Sequence, residues 1–172
     1  MPVPDEFPVT VIMEQGRIAR AGWSLPNWKL IGVVAGRGEV RDTTPQTIHA
    51  EGDTRQLLWP GLRLHLYRDA AESYWHNLVG RKPSLFVICE PDPDTGLRPA
   101  RVTANYDEAG AYMETDGQVF SAPIPPEIYR LLEEYVMTHY SPQEGKQRKR
   151  KGWKHETSEG PRPRAGRAAR RG

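Results

Sequence analysis

Short apolar runs alternating with polar positions dominate the first two thirds of the chain. Residues 7–14 (FPVTVIME) and 28–35 (WKLIGVVA) are β-branched segments bounded by Pro, Gly and Asn, the pattern of strands. Residues 47–51 and 54–59 read as two more, and Pro60-Gly61 reads as the turn that follows them. Residues 62–68 (LRLHLYR) keep a strict two-residue period. Leu62, Leu64 and Leu66 face a core, while Arg63, His65 and Tyr67 face the wet side. Residues 84–90 (SLFVICE) are apolar on both faces and predict an interior strand covered above and below. Residues 100–104 and 118–122 complete the strands.

The period lengthens in three places. Ala71, Tyr74, Trp75 and Leu78 fall at helical spacing, with Asp69 and Glu72 positioned as a reciprocal amino-terminal cap and Gly80 as a left-handed terminator. After Pro125-Pro126, the residues Ile128, Leu131, Leu132, Tyr135, Val136 and His139 trace one face of a helix, with Glu127, Arg130, Glu133 and Glu134 opposite. Residues 107–115 predict a shorter helix interrupted by Gly110. Together these elements predict an α+β fold: a curved, largely antiparallel sheet capped by a mid-chain helix and a C-terminal helix.

Charge divides the chain. Residues 146–172 carry 11 Lys and Arg against 2 acids, a charge of +9, and the remaining 13 basic and 20 acidic residues leave the body at −7. The basic segment contains no Leu, Ile, Val or Phe, so it lacks the apolar surface that offsets the entropy of ordering. The expected organisation is a globular domain over 1–142 and a disordered basic tail over 143–172. Lys146, Arg148, Lys149, Arg150, Lys151, Trp153 and Lys154 form the candidate site for an anionic partner: a protein surface, a nucleic acid or a lipid. A tail that only aids solubility is the competing reading.

Chemistry narrows the field further. The expectation is a cytoplasmic protein, because no basic-then-apolar leader and no run of about 18 apolar residues is present, and because a single cysteine, Cys89, suits a reducing compartment. The five histidines lack the close spacing of a metal site, and no serine stands in a G-x-S-x-G context. AGRGEV at 35–40 lacks the third glycine and the lysine of a phosphate loop and reads as a hairpin turn, while EPDPDTG at 90–96 reads as a strand connection. No metal, no cofactor and no catalytic residue is expected. Asp69, Glu72 and His76 have structural work in capping and packing. Arg63, His65 and Tyr67 remain as a possible recognition patch, against the alternative of a plain solvated strand face.

Taken in order, PVTVIMEQ, GWSLPNWKLIGVVAG with Trp23 and Trp28, LRLHLYRDAAESYWHNL, PSLFVICEP, VTANYDEAGAY, PIPPEI and the KRK cluster resemble a bacterial domain-of-unknown-function family, number 3305. The resemblance covers residues 7–153. It implies a small accessory protein of the kind often encoded beside molybdenum-dependent formate dehydrogenases, and it supplies no catalytic residue. The expected function is therefore non-enzymatic: protein–protein contact that assists assembly or maturation of such a dehydrogenase, with nucleic-acid binding through the basic tail as the alternative.

Overall fold

The structure is a computed structural model that describes residues 3–36, 43–115 and 117–140. The chain divides into a unit at Met1–His139 and a second at Tyr140–Gly172. The expected domain boundary, the basic tail with its candidate anion-binding residues, and most of the AGRGEV segment lie outside the described residues.

Among the described residues, seven strands and three helices build the first unit. Strand β1 (Glu6–Arg20) turns through Ala21 and Gly22 into β2 (Trp23–Ala35). Both turn residues have positive φ, 54° and 82°, the backbone of a two-residue hairpin whose twist matches its strands. Along β1 the alternation is plain: Phe7, Val9, Val11 and Met13 are buried, and the residues between them are half-buried. Strand β3 (Gln46–Glu51) pairs only with the first half of β4 (Thr54–His65).

Pro60-Gly61 is not a turn. Strand β4 runs straight through it: Val9 pairs with Leu62 and Val11 with Trp59, so Pro60 and Gly61 together oppose Thr10 as a bulge. A bulge tolerates the missing proline N–H, and Gly61 supplies the required φ of +88°. The two predicted strands on either side are thus one, and it ends at His65.

Strand order in the sheet is β2-β1-β4-β6-β5-β7, with β3 on the side of β4, β5 at Ser84–Asp92, β6 at Gly96–Thr103 and β7 at Gln118–Pro123. Every pairing is antiparallel except β4 with β6, which is parallel and has the single register pair Leu64–Val102. The outer strands β2 and β7 touch without a hydrogen-bonded ladder, so the curved sheet nearly closes. The expected α+β architecture is what the chain forms. Leu85 through Cys89 on β5 are all buried, as the two-faced apolar run predicts.

Helix α1 (Ala71–Val79) packs against α3 (Pro126–His139). The Tyr74 and Tyr135 rings meet edge-on at 6.1 Å, and the Tyr129 hydroxyl donates to the Leu78 carbonyl at 3.1 Å. Ile128, Leu132, Tyr135 and Val136 form the buried stripe of α3, and the aliphatic three each stabilise the fold by about 1.5–3 kcal/mol through burial. Helix α2 (Tyr106–Met113) is shorter than predicted and is capped by Asn105, whose side chain accepts from the N–H groups of Asp107 and Glu108.

Candidate recognition site

The stretch from Leu66 to Leu78 resolves into structural roles. The chain leaves β4 through a single 3-10 turn, Arg68–Ala70, and enters α1 with Ala70 at the cap position. Asp69 and Glu72 therefore form no side-chain cap, contrary to the sequence expectation: the turn carries the helix start past Asp69 and leaves a methyl where the capping oxygen would sit. Glu72 instead stands one turn before His76, 3.5 Å from its Nε2. Gly80 is extended, with φ −74° and ψ 178°, so the expected left-handed termination is also absent.

Tyr74 and Asn77 hold this region together. The Tyr67 N–H donates to the Tyr74 hydroxyl at 3.0 Å, tying the end of β4 to the helix. Burial pushes the Tyr74 phenol up to about 12, against the lowering effect of that bond. Asn77 donates to the carbonyls of Ser84 and Ala104 at 2.8 and 2.9 Å and accepts from the Ser84 N–H at 3.0 Å.

The structure brings Arg63 and His65 together through a residue the sequence pattern did not single out. Glu6 lies opposite His65 in the β1–β4 register. Its carboxylate is 3.0 Å from His65 Nδ1 and 3.7 Å from Arg63 Nη1. The three residues are partly exposed, which limits each pair to about 0–1 kcal/mol. Tyr67 is exposed but stands beyond the end of the strand, apart from this ladder. It joins Asp5, Glu6, His65 and Arg68 around a concavity of about 370 Å3 with Tyr135 beneath. The Tyr135 hydroxyl is buried with the Asp5 side chain as its polar neighbour, and among the described residues none meets full hydrogen-bond geometry with it. Desolvation first, and the nearby Asp5 charge second, raise its pKa.

A feature the sequence did not reveal lies at the other end of β1. Arg17 through Pro26 is exposed on both faces, so the β1–β2 hairpin projects from the sheet as an arm. Arg17 stiffens it, donating to the Ser24 Oγ at 2.7 Å and to the Ser24 carbonyl at 2.8 Å. Ile18 and Leu25 are cross-strand partners, and Trp23 shares their face, two residues before Leu25. Trp23 is 71% exposed, the most solvent-accessible aromatic side chain among the described residues. The strand pattern fades here because neither face is buried. Trp23 itself was the only available signal.

Cys89 sits in the core beside Met13, and burial pushes its thiol up to about 12, which makes it a packing residue. Asp92 shapes the β5–β6 turn, accepting from the Thr95 N–H and Oγ1 and from the Asp94 N–H; these bonds hold its carboxyl below the usual range. Among the described residues, no group of three or more His, Cys, Asp or Glu is placed to hold a metal ion, and no helix is long and apolar enough to cross a membrane.

Fold and site define an α+β protein with a nearly closed sheet and a projecting hairpin whose apolar tip faces solvent. The chain belongs to the family described as protein of unknown function DUF3305, which it matches over residues 8–151. No curated protein and no solved structure matches it.

Proposed function

We propose that this is a non-enzymatic accessory protein that docks on a protein partner, with the β1–β2 arm as its docking element. The observation that carries the reading is the exposed cluster of Ile18, Trp23 and Leu25 on an arm stiffened by Arg17. A rigid Trp-bearing projection fits the anchor that a partner pocket desolvates, and such anchors dominate binding energy at protein interfaces. The family resemblance implies the partner: a subunit or maturation factor of a molybdenum-dependent formate dehydrogenase. The basic residues Lys146, Arg148, Lys149, Arg150, Lys151 and Lys154, with Trp153, add a salt-sensitive attachment to an acidic surface of that partner.

Affinity purification from the native host at low and high salt, wild type against Trp23→Ala, tests this, with both proteins and nucleic acids identified. Recovery of formate dehydrogenase components that is lost in Trp23→Ala supports the reading. Recovery of nucleic acid alone, released by salt and indifferent to Trp23, overturns it in favour of phosphate binding by the basic segment.

A further inference from the structure

A separate concavity of about 440 Å3 opens where the carboxyl end of α1 meets the start of α2. Its volume is in the range that takes small organic ligands. Phe86 is buried and meets Tyr106 edge-on, ring centroids 5.7 Å apart at 77°, which sets the orientation of a ring that is otherwise 64% exposed. Arg81 and Lys82 also line the concavity, and neither has an ion pair or side-chain hydrogen bond with any described residue. The Asn77 clamp on Ser84 and Ala104 fixes the wall between helix and strand, so the rim is held before any ligand arrives. On the side of α2, the Asp107 carboxylate accepts from Ser73 Oγ at 3.4 Å and keeps acceptor capacity free.

The electrostatics favour an anion. The last carbonyls of α1 place about half a negative charge near the rim, and the first N–H groups of α2 place about half a positive charge there. These offset each other. Two full cations against the single Asp107 carboxylate leave the concavity net positive.

We propose that this concavity binds a flat ring carrying a phosphate, the chemistry of a nucleotide, whether free or at the end of a single strand. The ring stacks on Tyr106, as bases do on aromatic platforms. The phosphate sits on the Arg81 fork and the Lys82 ammonium. Asp107 accepts a hydrogen bond from a sugar hydroxyl or a ring amine. The site requires both halves of such a ligand, which separates it from a general anion patch.

The test is a residue-resolved amide titration of the full chain with AMP, adenosine, ribose 5-phosphate and a short single-stranded oligoadenylate. AMP should shift amides around Ser73, Arg81, Ser84 and Tyr106, and adenosine and ribose 5-phosphate should each bind at least about tenfold more weakly. Tyr106→Leu and the double variant Arg81→Gln, Lys82→Gln should each weaken AMP by about tenfold or more, with Tyr106→Phe retaining it. Shifts at the same amides with oligoadenylate identify a strand end as the source, and shifts with AMP alone identify a free nucleotide. Shifts confined to residues beyond 145, an AMP affinity indifferent to these variants, or no shift at the concavity in the folded wild type would each overturn the proposal.

Discussion

Asn77 grips Ser84 from both sides, donating to its carbonyl at 2.8 Å and accepting from its N–H at 3.0 Å. One side chain thereby joins the end of α1 to the first residue of β5, and a third bond to Ala104 brings in the segment after β6. Asn77→Ala leaves those partly buried backbone groups without partners. It should lower stability by about 2–3 kcal/mol, read as a fall in the urea midpoint with an unchanged slope.

Gly61 should tolerate no side chain. Its φ is +88°, and a Cβ there would lie 2.5 Å from Thr43 Cγ2. Gly61→Ala should cost about 2–4 kcal/mol from backbone strain and overlap combined. Adding Thr43→Gly should recover the overlap part only, which thermal unfolding of the pair can separate.

The arm makes the opposite prediction. Trp23→Ala removes a large side chain that touches little of the body, so stability should stay within about 0.5 kcal/mol of wild type while partner capture is lost. A calorimetric scan beside the pull-down checks both halves. A large loss of stability would assign Trp23 to the core instead.

Alkaline pH should weaken the fold. Burial raises the Cys89 thiol and the Tyr74 phenol to about 12, so in the unfolded chain each loses its proton earlier than in the native one. The stability is fully present below about pH 9, where the unfolded thiol begins to ionise, and is lost as pH rises towards the folded values near 12. Each group contributes a slope of at most about 1.4 kcal/mol per pH unit. Urea midpoints across this window should fall for wild type, and Cys89→Ala should delay the onset by removing the earlier of the two ionisations.

Strands that bury one face were legible, because Phe7, Val9, Val11 and Met13 impose a two-residue period. The helical stripe of α3 was legible for the same reason at its own period. Pro60-Gly61 was misread because a turn and a bulge share local sequence, and only pairing with β1 distinguishes them. The Asp69 and Glu72 cap failed on one extra turn of 3-10 backbone. Asn105 was the missed cap, signalled only by its place two residues before Asp107. At the recognition patch, the sequence put Arg63 and His65 on one face but could not supply Glu6, which reaches them through a register between strands distant in the chain. The arm was hidden because neither of its faces is buried, and Ile18, Trp23 and Leu25, split between two strands, form an apolar face only once the hairpin register brings them together.

The lone Leu64–Val102 rung gives the sheet a fault line. On one side lie β1 to β4 and on the other β5 to β7, each group laced internally by antiparallel ladders. Parting the seam would break one rung of backbone pairing and leave the ladders on either side whole, so what resists it is packing across the join: α1 on α3, β2 against β7, and the Asn77 bonds to Ser84 and Ala104.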